Sequence, residues 1–155
     1  ASTSQFLGPV RVNAPEPFAS AFVIRALDRL VESHPLVVPH LSAHAPATAQ
    51  AWVSDRRLDL AVLDDPTPDE SLVVHRLGEM KYGVYCGEAH PLFAEETPPR
   101  DDVLRFSFVA PPPNTVHPWP REHDREVGMV VTDIHLALEV CASGRFLALL
   151  PYAVK

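Results

Sequence analysis

The amino-acid sequence predicts an α/β fold of two successive lobes. Three observations predict it. Apolar residues make up 46% and charged residues 21% of 155, which is ordinary globular usage. The first half alternates strand-sized apolar runs with amphipathic stretches, in the order strand, helix, strand, helix, strand. A second α/β pattern then begins near residues 78–84 and ends in the clearest helix signal of the chain.

Each element has a local reason. Residues 10–14 read as a strand that the breakers Pro15 and Pro17 end. A helix follows from about Phe18, with Phe18, Phe22, Ile24, Leu27 and Val31 on an approximate 3.6-residue stripe. Pro35 stops it, because the residue before a proline disfavours helical angles. Residues 36–41 form the next strand, and Pro39 places an edge or an irregular end there. Residues 47–57 suit a second helix, with Ala49, Trp52 and Val53 on one face. The mainly apolar residues 58–63 are a strand that Asp64-Asp65-Pro66 terminates. This order implies a parallel sheet with helical crossovers.

Beyond the polar loop 65–71, residues 72–77 and 80–86 read as two more strands. Residues 106–110 and 127–131 are strands separated by a loop that holds five prolines within 111–120. Thr132 or Asp133 can cap the next helix, on which Ile134, Ala137, Leu138 and Cys141 share one face. Gly144 is placed to close it, and residues 146–150 are the final strand.

Composition excludes several functions. Thirteen Lys and Arg against 20 Asp and Glu give a net charge of −7, so this part of the protein is not expected to bind nucleic acid by itself. No apolar run approaches the roughly 18 residues of a membrane span. Cys86 and Cys141 sit in apolar stretches and read as buried, reduced thiols. The eight histidines have no helical ligand spacing, so no metal is expected. There is no Gly-x-Ser-x-Gly elbow and no glycine-rich phosphate loop, so no enzymatic activity and no cofactor are expected.

What remains is architectural. Open α/β sheets bind ligands beyond the carboxyl ends of their strands. Those ends fall here at residues 13–18, 42–48, 64–65, 110–115 and 132–133. Two such lobes facing each other would enclose a ligand cleft.

The ordered set of residues resembles the effector-binding domain of LysR-type transcriptional regulators, over residues 8–151. The resemblance rests on Val10-Arg11-Val12 with the helix to His34-Pro35, and on Trp52 to Leu63 including Arg57-Leu58-Asp59-Leu60-Ala61. It rests further on Tyr82-Gly83-Val84-Tyr85, on His90-Pro91-Leu92, and on Leu136-Ala137-Leu138-Glu139-Val140 through Gly144 to Leu149-Leu150-Pro151.

The resemblance implies two Rossmann-like lobes, similar to type 2 periplasmic binding proteins, with residues 8–80 as lobe I and 81–151 as lobe II. It implies a cytoplasmic, non-enzymatic domain that binds a small organic effector between the lobes. It further implies self-association as a dimer, tetrameric in the full-length protein, and RNA polymerase as a further partner. DNA would be contacted by a separate N-terminal winged helix-turn-helix that this chain lacks. The C-terminal return strand and last helix of lobe I are also expected to be absent. A solute-binding protein of a transport system, with the same fold, is the alternative.

Carried over position by position, the family's effector contacts become Glu16, Pro17 and Phe18 after the first strand and Ala45, Pro46 and Thr48 after the second. Asp64 follows the third. Ala110, Asn114, Thr115 and Asp133 come from the second lobe. Positions 17 and 46 often carry hydroxyls in the family and are prolines here, and Phe146 replaces a usual small residue. Pro118 and Pro120 oppose the helix expected between residues 114 and 133. Phe18 and Trp119 are expected to offer stacking faces, with Arg121 and Arg125 near the pocket mouth.

Overall fold

The computed structural model describes residues 5–115 and 117–152, so the small polar residues 1–4 lie outside the described residues. The chain divides into two α/β units, at Gly78 and Glu79.

The first unit holds a three-stranded parallel sheet in the order β2-β1-β3. Strand β1 (Gly8–Asn13) is central, and its Val12 and Asn13 are fully buried. A π-helical turn at Ala19–Val23 runs into α1 (Ile24–Ser33), which carries the chain to β2 (Val37–Ser42). The ladder between β1 and β2 is complete from Gly8 opposite Val37 to Asn13 opposite Ser42. Helix α2 (Pro46–Ser54) buries Ala49 and leads to β3.

Strand β3 is only Leu60–Ala61, shorter than the six residues the apolar pattern predicts. Its start is pinned instead by Asp59. The Asp59 N–H donates to the Arg11 carbonyl (2.9 Å), and its carboxylate accepts from the Arg11 N–H (2.7 Å) and guanidinium (3.2 Å). The side-chain bond from Arg11, then its backbone bond, holds the Asp59 carboxyl below the usual carboxylate range. Four residues beyond the strand's end, Asp65 turns the chain with a φ of 44°, in the left-handed region.

Residues 72–77 are not a strand. They are strand-sized and largely apolar but pair with no other strand among the described residues, and Val73, Val74 and Leu77 stand 83%, 61% and 70% exposed. An extended segment joins a sheet only when another strand accepts its backbone bonds.

The second unit is a four-stranded mixed sheet in the order β4-β7-β5-β6. Strand β4 (Tyr82–Tyr85) runs antiparallel to β7 (Leu147–Pro151), whereas β5 (Ser107–Ala110) is parallel to β7 and to β6 (Glu126–Val130). A short helix, α3 (Arg100–Val103), precedes β5 and was not expected from the sequence. Helix α4 (Ile134–Ala142) covers one face, packing Ile134, Ala137 and Leu138 over buried Val109, Cys141, Ala148 and Leu150. Gly144 follows it with φ +87° and lies against Ala89. The opposite face packs Phe108, Leu147 and Leu92 under Phe106, Val103 and Trp119.

Among the described residues, the connection from β5 to β6 contains no helix. Five prolines remove the donors a helix would need, and the segment instead sends Trp119 edge-on against Phe108, with ring centroids 5.0 Å apart. The indole N–H donates to the His123 carbonyl (2.7 Å).

Both cysteines are free thiols. Cys141 belongs to the α4 side and donates to the Tyr85 carbonyl, whereas Cys86 packs with the Phe108 cluster on the other side. Burial raises both thiols. Side chains that point to opposite faces cannot be bridged without moving the backbone. Treatment with a dithiol oxidant is therefore expected to leave two titratable thiols in the unfolded, quenched chain. Loss of both without dimer formation would contradict this packing.

Two imidazoles make the second unit acid-sensitive. His90 is buried with its Nε2 unpaired, and burial lowers its pKa. Burial, then the Arg125 charge, pushes His117 down to about 4. The folded chain thus prefers both rings neutral. Their stabilisation is present above about pH 6.5 and is lost as pH falls toward 4. Denaturant titrations at pH 7.5 and 5 should show it, and His117→Gln should shrink the difference.

Candidate functional site

The parallel strands of the first unit all end on one side, and three connections rise there. Asn13, the last residue of β1, organises them. It is fully buried, and its side-chain oxygen accepts from the His44 N–H (2.7 Å) and the Ser42 hydroxyl (3.2 Å). Its amide nitrogen donates to the His44 carbonyl (3.4 Å). The side chain so replaces a strand neighbour and holds residues 42–44 in place. The His44 ring then meets Trp52 edge-on at 4.5 Å, and the Arg57 guanidinium lies over the same indole at 4.2 Å. The entry to α2, with Ala45 before it and Pro46 at its first turn, is held from both sides.

The carried-over residues of this unit occupy that side with different availabilities. Ala45, Pro46, Thr48 and Asp64 are exposed. Burial, then the Asp65 charge, raises the Asp64 carboxyl. Glu16 is engaged locally, accepting from the Ser20 N–H and hydroxyl. Pro17 is buried. Phe18 is buried too and packs toward Phe22 at 6.2 Å, so it offers no stacking face. Its place next to the buried Ala19 makes it the hydrophobic anchor of the following helix rather than a contact for a ligand.

In the second unit β5 and β6 also end on one side. Asn114 and Thr115 are exposed there, and the Thr115 N–H closes a turn on the Pro112 carbonyl (3.0 Å). Ala110 is buried, so only its backbone can serve. Its carbonyl already accepts from the Val131 N–H (3.0 Å). Asp133 caps α4, accepting from the N–H groups of His135 (2.7 Å) and Leu136 (3.2 Å). That use of the carboxylate stabilises the helix start.

Trp119 and Arg125 do not belong to this end. Arg125 precedes Glu126, which pairs with Ser107 at the start of β5, so both side chains lie at the opposite end of the sheet. The stacking face expected from Trp119 is taken up by Phe108 and Arg125.

Among the described residues no group of three or more His, Cys, Asp or Glu side chains is arranged to hold a metal ion. No described helix is long and apolar enough to cross a membrane. Two cavities within the units lie elsewhere. One of about 370 Å³ is lined by α2 and the loop at Thr67 and Asp69, and one of about 460 Å³ by Met129, Val140 and Phe146.

A parallel sheet followed by a mostly parallel mixed one, with polar connections at the strand ends of two successive α/β units, matches periplasmic-binding-protein-like folds. The chain belongs to the LysR substrate binding domain family, whose model matches residues 3–154.

Solved structures agree on the fold. The cofactor-binding domain of the Cbl transcriptional regulator matches with a TM-score of 0.83 at 12% identity, covering 99% of this chain and 71% of that one. HinK, a LysR family transcriptional regulator from Pseudomonas aeruginosa, matches with a TM-score of 0.76 at 14% identity, covering 97% and 55%. The effector-binding domain of QuiR in complex with shikimate matches with a TM-score of 0.76 at 13% identity, covering 94% and 74%. The chain spans just over half the length of the first matched regulators. Comparison with curated protein sequences finds no significant match.

Proposed function

We propose that this chain is the ligand-sensing, non-enzymatic part of a bacterial-type, cytoplasmic transcription factor. Family membership over residues 3–154 carries the reading. A small organic effector binds at the strand ends; the matched effector-binding domain of QuiR is in complex with shikimate, a compound of that size. Thr48, Asn114 and Thr115 supply exposed donors and acceptors there, and Asp64 supplies charge. Glu16 and Asp133 add negative field while bonded within the chain. The effector acts by population shift, moving the equilibrium between conformations by its difference in affinity for them. DNA is contacted through a separate winged helix-turn-helix, and RNA polymerase is a further partner.

The acids at the strand ends, with Pro17 and Pro46 in place of hydroxyls, favour a neutral or cationic, partly apolar effector. An anion would meet like charge in a partly desolvated site without compensating donors. Calorimetry against matched anionic, neutral and cationic aromatic compounds tests this. The cationic member is expected to bind about tenfold tighter than the anionic one, and Asp64→Asn should erase most of the difference. Tight binding of a simple carboxylate, lost in Asn114→Ala and unchanged in Asp64→Asn, would refute it.

Self-association is proposed through the first unit. Ile24 and Val31 on α1 are 50% and 37% exposed, and Leu36, Val38 and Leu41 around β2 are 57%, 55% and 40% exposed. An apolar surface of this extent on adjoining elements fits a partner subunit. Sedimentation equilibrium at micromolar concentration should show a dimer, and Val38→Asp should weaken it at least tenfold.

A further inference from the structure

We propose that residues 87–95 form a latch on the second unit, held shut by the neutral imidazole of His90 and released when that ring takes up a proton, while the sheet beneath stays folded. Acid weakens the whole unit through both imidazoles; the latch is a local opening that comes first.

The segment leaves β4 and runs as consecutive turns. The His90 N–H donates to the Gly87 carbonyl (3.0 Å), the Phe93 N–H to the His90 carbonyl (3.0 Å) and the Glu95 N–H to the Leu92 carbonyl (3.1 Å). These bonds are internal to the segment, so packing is what seats it on the unit. Leu92 is buried in the cluster of Phe108 and Leu147. Two glycines allow close approach on the other side. A Cβ on Gly87 would come within 2.7 Å of the Cys141 and Ala142 carbonyl oxygens at the end of α4, and one on Gly144 within 2.7 Å of the Ala89 Cβ.

His90 is the remaining anchor, and the only one of these that titrates. Its ring is 3% exposed and stands edge-on to Phe106, with centroids 4.7 Å apart. Nδ1 accepts from the Leu92 N–H (3.1 Å), which fixes the neutral tautomer with its proton on Nε2. Nε2 is buried and has no partner among the described residues.

Such a ring stays in place only while neutral. A proton on Nδ1 would set one donor against another, the Leu92 N–H, and would bury a charge without an acceptor. The Nε2–H is already unsatisfied when the latch is shut, whereas water satisfies it when the ring swings out. Proton uptake and the closed position therefore exclude each other, and burial lowers the pKa of the ring.

The charges on the elements around the ring do not relieve this. Glu88 and Glu95 on the segment, Arg105 beside Phe106 and Arg145 after α4 are exposed. Asp102 on α3 and the Cys86 thiol are half-buried. Among the described residues none of them bonds to the imidazole. Arg125, stacked on Trp119 of the same cluster, is a cation and opposes a further positive charge.

Amide hydrogen exchange followed by NMR, corrected for the intrinsic pH dependence of exchange, tests the latch. Protection of the Leu92, Phe93 and Glu95 amides should fall about tenfold between pH 7.5 and 5.5, because the released ring titrates near its ordinary value of about 6.5. At each pH the amides of β5 and β7 should stay at least about a hundredfold better protected, and dilute urea should speed their exchange but not that of Leu92. His117→Gln should leave the fall at Leu92 unchanged. His90→Asn, whose side-chain oxygen can replace Nδ1 as acceptor without a titrating proton, should remove it. In the unaltered chain the His90 ring nitrogens should report the Nε2–H tautomer. An Nδ1–H tautomer overturns the proposal, as does protection at Leu92 indifferent to pH, or equal to that of β5 and β7 and equally sensitive to urea.

Discussion

Replacing Phe108 by alanine is expected to destabilise the second unit by about 3–5 kcal/mol. The residue is fully buried and packs with Leu92 and Leu147. Removing the ring deletes its own burial and leaves a cavity that a β-sheet cannot collapse to fill. It also removes the edge-to-face partner of Trp119 and one of the two rings beside Arg125. The loss should therefore exceed that of a comparable aliphatic truncation such as Leu92→Ala. Urea denaturation followed by tryptophan fluorescence would check both the midpoint and the native emission. A native spectrum unchanged in Phe108→Ala would contradict the described packing of Trp119.

Asn13→Ala is expected to cost about 2–4 kcal/mol, the second largest effect. The substitution leaves the part-buried His44 N–H and Ser42 hydroxyl without the oxygen they share. A buried donor without a partner costs about 1–3 kcal/mol, and the two affected here are part-buried, so each falls toward the low end of that range. Asn13→Asp keeps the acceptor but places a charge at a fully buried position, so it should also destabilise, most strongly at neutral pH. Asn13→Ala should further weaken effector binding more than a distant substitution of equal destabilisation, because residues 42–44 lead into Ala45 and α2. Comparison with a variant such as Val37→Ala, matched in stability, separates the two contributions.

Much of the scaffold was legible because hydrophobic period and breakers acted together. The amphipathic stretch at 134–142, Asp133 before it and Gly144 after it all point to one helix, and the structure shows the cap, the face and the positive φ. Strand–helix–strand order made the parallel pairing of β1 with β2 and β3 legible. Where the reading failed, a tertiary partner decided. Residues 72–77 have a strand's size and apolar character but no paired strand among the described residues, and residues 58–63 keep only two ladder residues, their start pinned by Asp59. Helix α3 is a single turn, below what periodicity can detect.

At the site, position was legible and availability was not. Carry-over placed residues at the strand ends, where each unit indeed presents its connections. It could not show that Phe18 faces inward or that Glu16 is engaged by Ser20. Asn13 was missed as a residue with a task. An asparagine before Ala14-Pro15 looks like an ordinary strand end, and only the fold brings His44 against it. Trp119 was misplaced for the converse reason, since a proline-rich segment has no period from which a direction can be read.

Strand β6 carries a consequence for the handling of this protein. All five of its residues are exposed, with Val127 at 45%, Met129 at 40% and Val130 at 53%, and β6 ends its sheet. An uncovered edge of β-favouring, nearly uncharged residues is a template for intermolecular cross-β stacking. Glu126 is the sole charge within the strand, a single gatekeeper where natural edges commonly use several. Concentrated stocks should therefore lose material to fibrils at a rate set by this one segment. Met129→Lys would slow that loss without touching the strand ends proposed to hold an effector.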